Sequence, residues 1–152
     1  MKKIATIIIL SIFIFGCSST PKIADTITGK PEIVINSTDL NIIKNDIIGE
    51  LLIAGYTVVQ DTPRLLELQR RTRDNEDIAA YFMSVGNAYS TNYRTVSVNF
   101  LKSDDSVRIV VSTFFRAHLP YGEVSSAPIT NNEVFNYWQE YLDKLKIKIK
   151  TF

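Results

Sequence analysis

One cysteine, one histidine and one tryptophan are all that this chain of 152 residues contains, and each scarcity closes off a class of function. A lone thiol cannot form a disulfide within the chain, so the fold has to be held by its own apolar core. Catalytic and structural zinc sites need several His, Cys or carboxylate ligands converging, and one His with one Cys does not supply them. No metal and no cofactor is expected. Glycine is sparse, and Gly86 and Gly122 stand alone in predicted loops, so no phosphate-cradling loop is present. The serines sit in no nucleophile-elbow pattern, which leaves His118, in AHLPYG, to read as a loop histidine at a strand end. As a general base it has only Ser112 or Ser125 to suggest as partners. The pairs Asp104-Asp105 and Glu76-Asp77 fall in a predicted turn and a predicted first helical turn, where each has a structural reason to be. The chain is therefore read as non-enzymatic, with no catalytic residue assigned. Charge of one sign is also lacking: 17 basic residues face 16 acidic ones, which gives no field for nucleic acid.

What is present is concentrated at the start. Lys2 and Lys3 precede an apolar core that runs from Ile4 to Phe15. That is the length of a secretory h-region and well short of the roughly 20 residues a membrane-spanning helix needs. A small residue, Gly16, then stands directly before Cys17. The segment Ile14-Phe15-Gly16-Cys17 resembles the lipobox of bacterial lipoproteins. The resemblance implies removal of residues 1–16 and acylation of Cys17 as the new N-terminus. It also implies a permanent membrane tether, since two or more acyl chains hold where one binds only marginally. Ser18 in place of an aspartate implies sorting to the outer membrane, on its periplasmic side. Loss of Lys2 and Lys3 lowers the basic count from 17 to 15 against 16 acidic residues, for a net charge near −1.

Residues 17–30 read as the acylated end and a flexible spacer, polar and marked by Pro21 and Gly29. Residues 31–152, about 120, suit one hydrophobic core. Glu32 to Asn36 is a short strand, and Ser37 or Thr38 is placed to cap the helix after it. That helix, Asp39 to Ala54, repeats Leu40, Ile43, Ile47, Ile48, Leu51 and Leu52 at helical spacing, with Lys44 on another face and Gly55 as its stop. Tyr56 to Gln60 and Arg64 to Arg70 form a hairpin about Pro63, although RLLEL also has helical spacing. Asp74 to Val85 predicts a second helix. Tyr93 to Leu101 and Ser106 to Arg116 alternate cleanly as strands. Thr130 and Glu133 match a capping box for a last helix carrying Val134, Trp138, Tyr141, Leu142 and Leu145 to about Lys146. The order β-α-β-β-α-β-β-α predicts an α+β domain: an antiparallel sheet of four to five strands with helices packed on one face. It is similar in architecture to the small α+β domains of envelope lipoproteins, and no residue motif carries that likeness.

Three features are candidates for recognition. Tyr89, Tyr93 and Tyr121 sit in segments rich in small polar residues, a mixture that makes adaptable contact surfaces. Arg70, Arg71 and Arg73 read either as a grip on an anionic group or as a solvated loop with internal ion pairs. Lys144, Lys146, Lys148 and Lys150 alternate with apolar residues, as in a terminal edge strand or a segment lying on anionic lipid. The expected function is a lipid-anchored envelope protein that binds a protein partner as an accessory or exclusion factor. The alternative is a carrier or sensor of an amphipathic ligand, lipid or envelope glycan, with a pocket beneath Trp138.

Overall fold

The structure is a computed structural model that describes residues 26–36, 39–72, 91–119 and 121–150. The leader, the tether as far as residue 25, Ser37, Thr38 and the predicted helix Asp74 to Val85 lie outside the described residues. The chain runs through β1 (Glu32–Ile35), α1 (Leu40–Ile53), β2 (Thr57–Asp61), β3 (Leu65–Arg71), β4 (Thr91–Lys102), β5 (Val107–His118), β6 (Val124–Pro128) and α2 (Asn132–Lys150). The fold is α+β, as the pattern of alternating and helical periods implies, with every strand pair antiparallel. Among the described residues the sheet has six strands, in the order β1-β5-β4-β3-β2 with β6 also beside β5.

Alternation sorts the sheet into two faces. Leu66 and Leu68, Val96, Val98 and Phe100, Ile109 and Val111, and Ile33 and Ile35 share register positions on one face and are buried in one core. The helices cover that face with Ile43, Ile47 and Leu51 from α1 and Trp138, Leu142 and Leu145 from α2. The opposite face is crossed by Glu67 and Arg116, whose paired oxygens and guanidinium nitrogens meet in a two-pronged contact spanning β4.

Helix ends differ in detail from the sequence expectation. Ser37 and Thr38, the caps expected from the sequence, lie outside the described residues, while Asp39 is the N-cap of α1. Its Oδ1 accepts from the amides of Asn41 and Ile42 at 3.0 Å and 3.3 Å. Gly55, at φ +82°, closes α1 as expected. Its amide donates to the Leu52 carbonyl, and Tyr56 donates to Leu51, so Tyr56 belongs to a helix-terminating loop and not to β2. Leu52 turns outward, and Lys44 turns inward. The Lys44 side chain lies over the Phe100 ring, while its ammonium reaches Asp61 and the Thr62 carbonyl.

The cap of α2 is Asn131, whose Oδ1 accepts from the Val134 amide at 2.9 Å, rather than Thr130. The helix continues to Lys150, so the lysine-rich tail is helical and not an edge strand. Leu145 and Ile149 extend the apolar stripe by one turn, and Lys148 pairs with Asp46 of α1. Gln139 accepts from the Glu32 amide and donates to its carbonyl, each at 3.1 Å, and so covers part of the outer edge of β1.

Candidate functional site

The residue pattern of β5 creates a gap in the sheet edge. Its 12 residues outrun both partners on that side: β1 pairs with Val107 to Val110, and β6 pairs with Phe114 to His118. Val111 to Thr113 therefore has neither strand alongside. Pro31 accepts from the Val111 amide at 2.9 Å but has no N–H to continue the ladder. On the other side, Ile129 donates to the Thr113 carbonyl at 2.9 Å as the chain leaves β6 for α2. Between these two departures lies a cleft of about 310 Å³, walled by Pro31, Val111, Phe114, Ile129, Phe135 and Trp138.

Beside it lies a second recess of about 420 Å³ with a different character. Tyr56, Arg70, Arg94, Glu133 and Tyr137 line it, and Thr113, Asn131, Val134 and Trp138 belong to both walls. Arg70 and Arg94 are direct register partners on β3 and β4. They follow Leu66 and Leu68 on one strand and precede Val96 and Val98 on the other at a spacing of two, so the pleat places both on the helix-covered face. Arg70 lies over the Tyr56 ring at 5.3 Å, and its Nη1 donates to the Ala54 carbonyl at 3.3 Å. Its Nε is buried without a hydrogen-bond partner among the described residues. Arg94 lies over the Phe115 ring at 5.9 Å.

Burial pushes the Tyr56 phenol above its usual range, while the positive charges of Arg94 and Arg70 and a hydrogen bond from Arg94 pull it back. Among the described residues the recess thus brings the Tyr56 hydroxyl and the guanidinium groups of Arg70 and Arg94 beside the Glu133 carboxylate, a polar lining next to an apolar cleft.

Among the described residues, those singled out in the sequence do not gather at one place. Arg71 is exposed and follows Arg70 on the strand, so the two point to opposite faces; Arg73 lies outside the described residues. The compact arginine group is thus divided. Tyr93 is half-buried on the face away from the helices and meets His118 edge to face, with ring centroids 5.1 Å apart. Ser112, the first serine suggested for His118, is six residues back along β5, a distance of roughly 20 Å at strand rise. Ser125 pairs with Ala117 and so projects to the other face. Tyr121 is 95% exposed between β5 and β6, and Tyr89 lies outside the described residues. Trp138 is buried, as its stripe implies, and stands in the wall common to both recesses.

Arg94, Tyr56 and Tyr137 are the lining residues that sequence reasoning missed. The signal for Arg94 was the period of two, which carries Phe100, Val98 and Val96 back to an arginine in a core-facing position. No protein-family model, curated protein or solved structure matches this chain.

Proposed function

We propose that this chain is a bacterial envelope lipoprotein, held through acylated Cys17 and facing the periplasm, whose domain acts by binding. The ligand we assign is an amphipathic molecule lodged between the sheet and α2. The observation that carries this reading is the apolar cleft in the β5 edge, which shares Trp138 and Val134 with a recess lined by Arg70 and Arg94. Apolar walls with a few converging polar groups are what small amphipathic ligands need: the walls bury the chain, and the polar groups fix its orientation.

Native mass spectrometry of the full protein, extracted from envelopes into lipid nanodiscs, tests it. A bound amphiphile is expected, released on denaturation and lost when Val134→Trp fills the common wall. Protein free of any bound molecule, or a bound polar glycan that survives Val134→Trp, contradicts it.

A protein partner, bound in an accessory or exclusion role, is the second reading. It is favoured by Tyr121 and Val124, exposed at 95% and 55% at the tip of the β5–β6 connection. Crosslinking from that tip in intact envelopes should capture one partner and fail in Tyr121→Ala without a change in thermal midpoint.

A further inference from the structure

Resting on the reading that the sheet–helix cleft holds an amphiphile, we infer that its polar part is a single amino-acyl unit, bound through its own N–H and C=O to the open main chain of β5 on either side of Ser112. Val111 and Thr113 direct their main-chain groups away from β4, since the Val111 amide donates to Pro31 and the Thr113 carbonyl accepts from Ile129. A hydrogen-bonded antiparallel pair exchanges both bonds, and here neither is returned. Pro31 has no N–H to offer the Val111 carbonyl. On the other side the ladder ends at Phe114 and Pro128, so Ile129 forms no register pair with Thr113, and its carbonyl accepts from the Thr113 hydroxyl at 3.3 Å instead of from the amide. Among the described residues the Val111 carbonyl and the Thr113 amide are thus without hydrogen-bond partners. The two residues are 1% and 7% exposed, and buried main-chain groups are nearly always paired. Both line the apolar cleft.

A ligand that satisfies both groups needs a donor and an acceptor at strand spacing. In a parallel ladder one residue donates to the carbonyl before its neighbour and accepts from the amide after it, which is the pattern Val111 and Thr113 leave open around Ser112. An extended amino-acyl residue carries its own N–H and C=O on one side. A lone trans amide does not, because its N–H and C=O point in opposite directions. The opening is also short: Val111 to Thr113 spans about 7 Å at strand rise, with Pro31 and Ile129 on either side, so it takes one residue and not a whole strand. Neighbours across a ladder share a face, so the side chain of the bound residue stands on the face of Ser112 and Phe114. The group attached to its nitrogen turns to the other face, where Val134, Phe135 and Trp138 offer an apolar wall suited to an acyl chain.

Trp138 is the only tryptophan of the chain and stands in this wall, so its fluorescence reports binding. The full chain in phosphatidylcholine nanodiscs is titrated with N-octanoyl-leucinamide, with its analogue methylated on the octanoyl amide nitrogen, which lacks the donor, and with N-octanoyl-3-methylbutylamine, which lacks the second carbonyl. The first should shift the emission saturably, and each analogue should bind at least threefold more weakly, as for the loss of one net hydrogen bond. Pro31→Ala supplies the N–H that the Val111 carbonyl lacks. It should weaken N-octanoyl-leucinamide at least threefold, change the methylated analogue less than twofold, and keep or raise the thermal midpoint; if the variant does not fold, the analogue series on the unaltered chain decides alone. If the three probes bind alike, the cleft stands and the main-chain bridge is overturned. If no probe gives a saturable change, the cleft reading falls and this inference falls with it.

Discussion

Tyr141 carries its hydroxyl into the contact between α2 and α1, where it is buried with no hydrogen-bond partner among the described residues. Burial raises its pKa well above the usual 10.0, and the nearby carboxylates Asp46 and Glu50 add to the rise. Below that usual value the phenol is neutral in folded and unfolded chains alike, and its contribution to stability is fully present. Above it the unfolded chain gives up the proton first, so stability falls as pH rises towards the folded pKa. Tyr141→Phe should remove this part of the alkaline loss. At pH 7 it should leave stability unchanged or raise it by up to about 1 kcal/mol, since it deletes an unpartnered polar group. Urea unfolding at pH 7 and pH 11 checks both.

Glu67 and Arg116 make the complementary case, a polar pair that is satisfied. Their side chains are only 11% and 28% exposed, so removing one strands the other. Arg116→Ala should cost about 2–4 kcal/mol, and the double replacement Glu67→Leu, Arg116→Leu should recover most of it. A double loss equal to the sum of the two single losses would show that the pair is not coupled.

At the scale of elements, the sequence was most readable where one period dominated. The alternation of Val96, Val98 and Phe100 against Ser97 and Asn99 gave β4, and the hairpin about Pro63 was right to treat RLLEL as a strand. Leu66 and Leu68 go to the core, while Leu65 stands on the other face, half-buried. β6 was missed for a physical reason: VSSAP has little apolar surface, and it is a strand only because β5 is long enough to offer it an edge.

The tail 144–150 misled in the other direction. Its residues alternate with a strand's period, but Ile149 continues the helical stripe of Leu142 and Leu145, and tertiary packing overrides the local pattern. Ile147 and Ile149 distinguish the two geometries, since a strand puts both on one face. Ile149 packs against the core, while Ile147 is 69% exposed. Ile149→Ala should therefore cost about 1–2 kcal/mol, a fraction of a full core truncation. Ile147→Ala should stay within about 0.5 kcal/mol, as surface substitutions do. Equal costs in thermal unfolding would contradict the helix. The arginine recess was half readable: Arg70 was flagged as one of a basic cluster, but its separation from Arg71 and its pairing with Arg94 depend on strand register, which one sequence does not display.

At the scale of the whole molecule, the proposal is a tethered binding domain. The polar residues after Cys17 lead in sequence to Gly29, Lys30 and Pro31, which line the apolar cleft. Among the described residues no helix is long and apolar enough to cross a membrane; the attachment proposed is the acylated terminus. A domain with no disulfide keeps its edges together through side chains, as Gln139 does for β1 and Lys148 does for the two helices. Everything proposed about the ligand presumes that the domain is displayed at a lipid surface. The intact mass of protein extracted from the membrane fraction tests this most directly. The account predicts a chain beginning at Cys17, without residues 1–16 and carrying acyl groups, and it predicts that Cys17→Ala leaves an uncut precursor or releases the protein from the membrane. A full-length chain with a free thiol at Cys17 would contradict it.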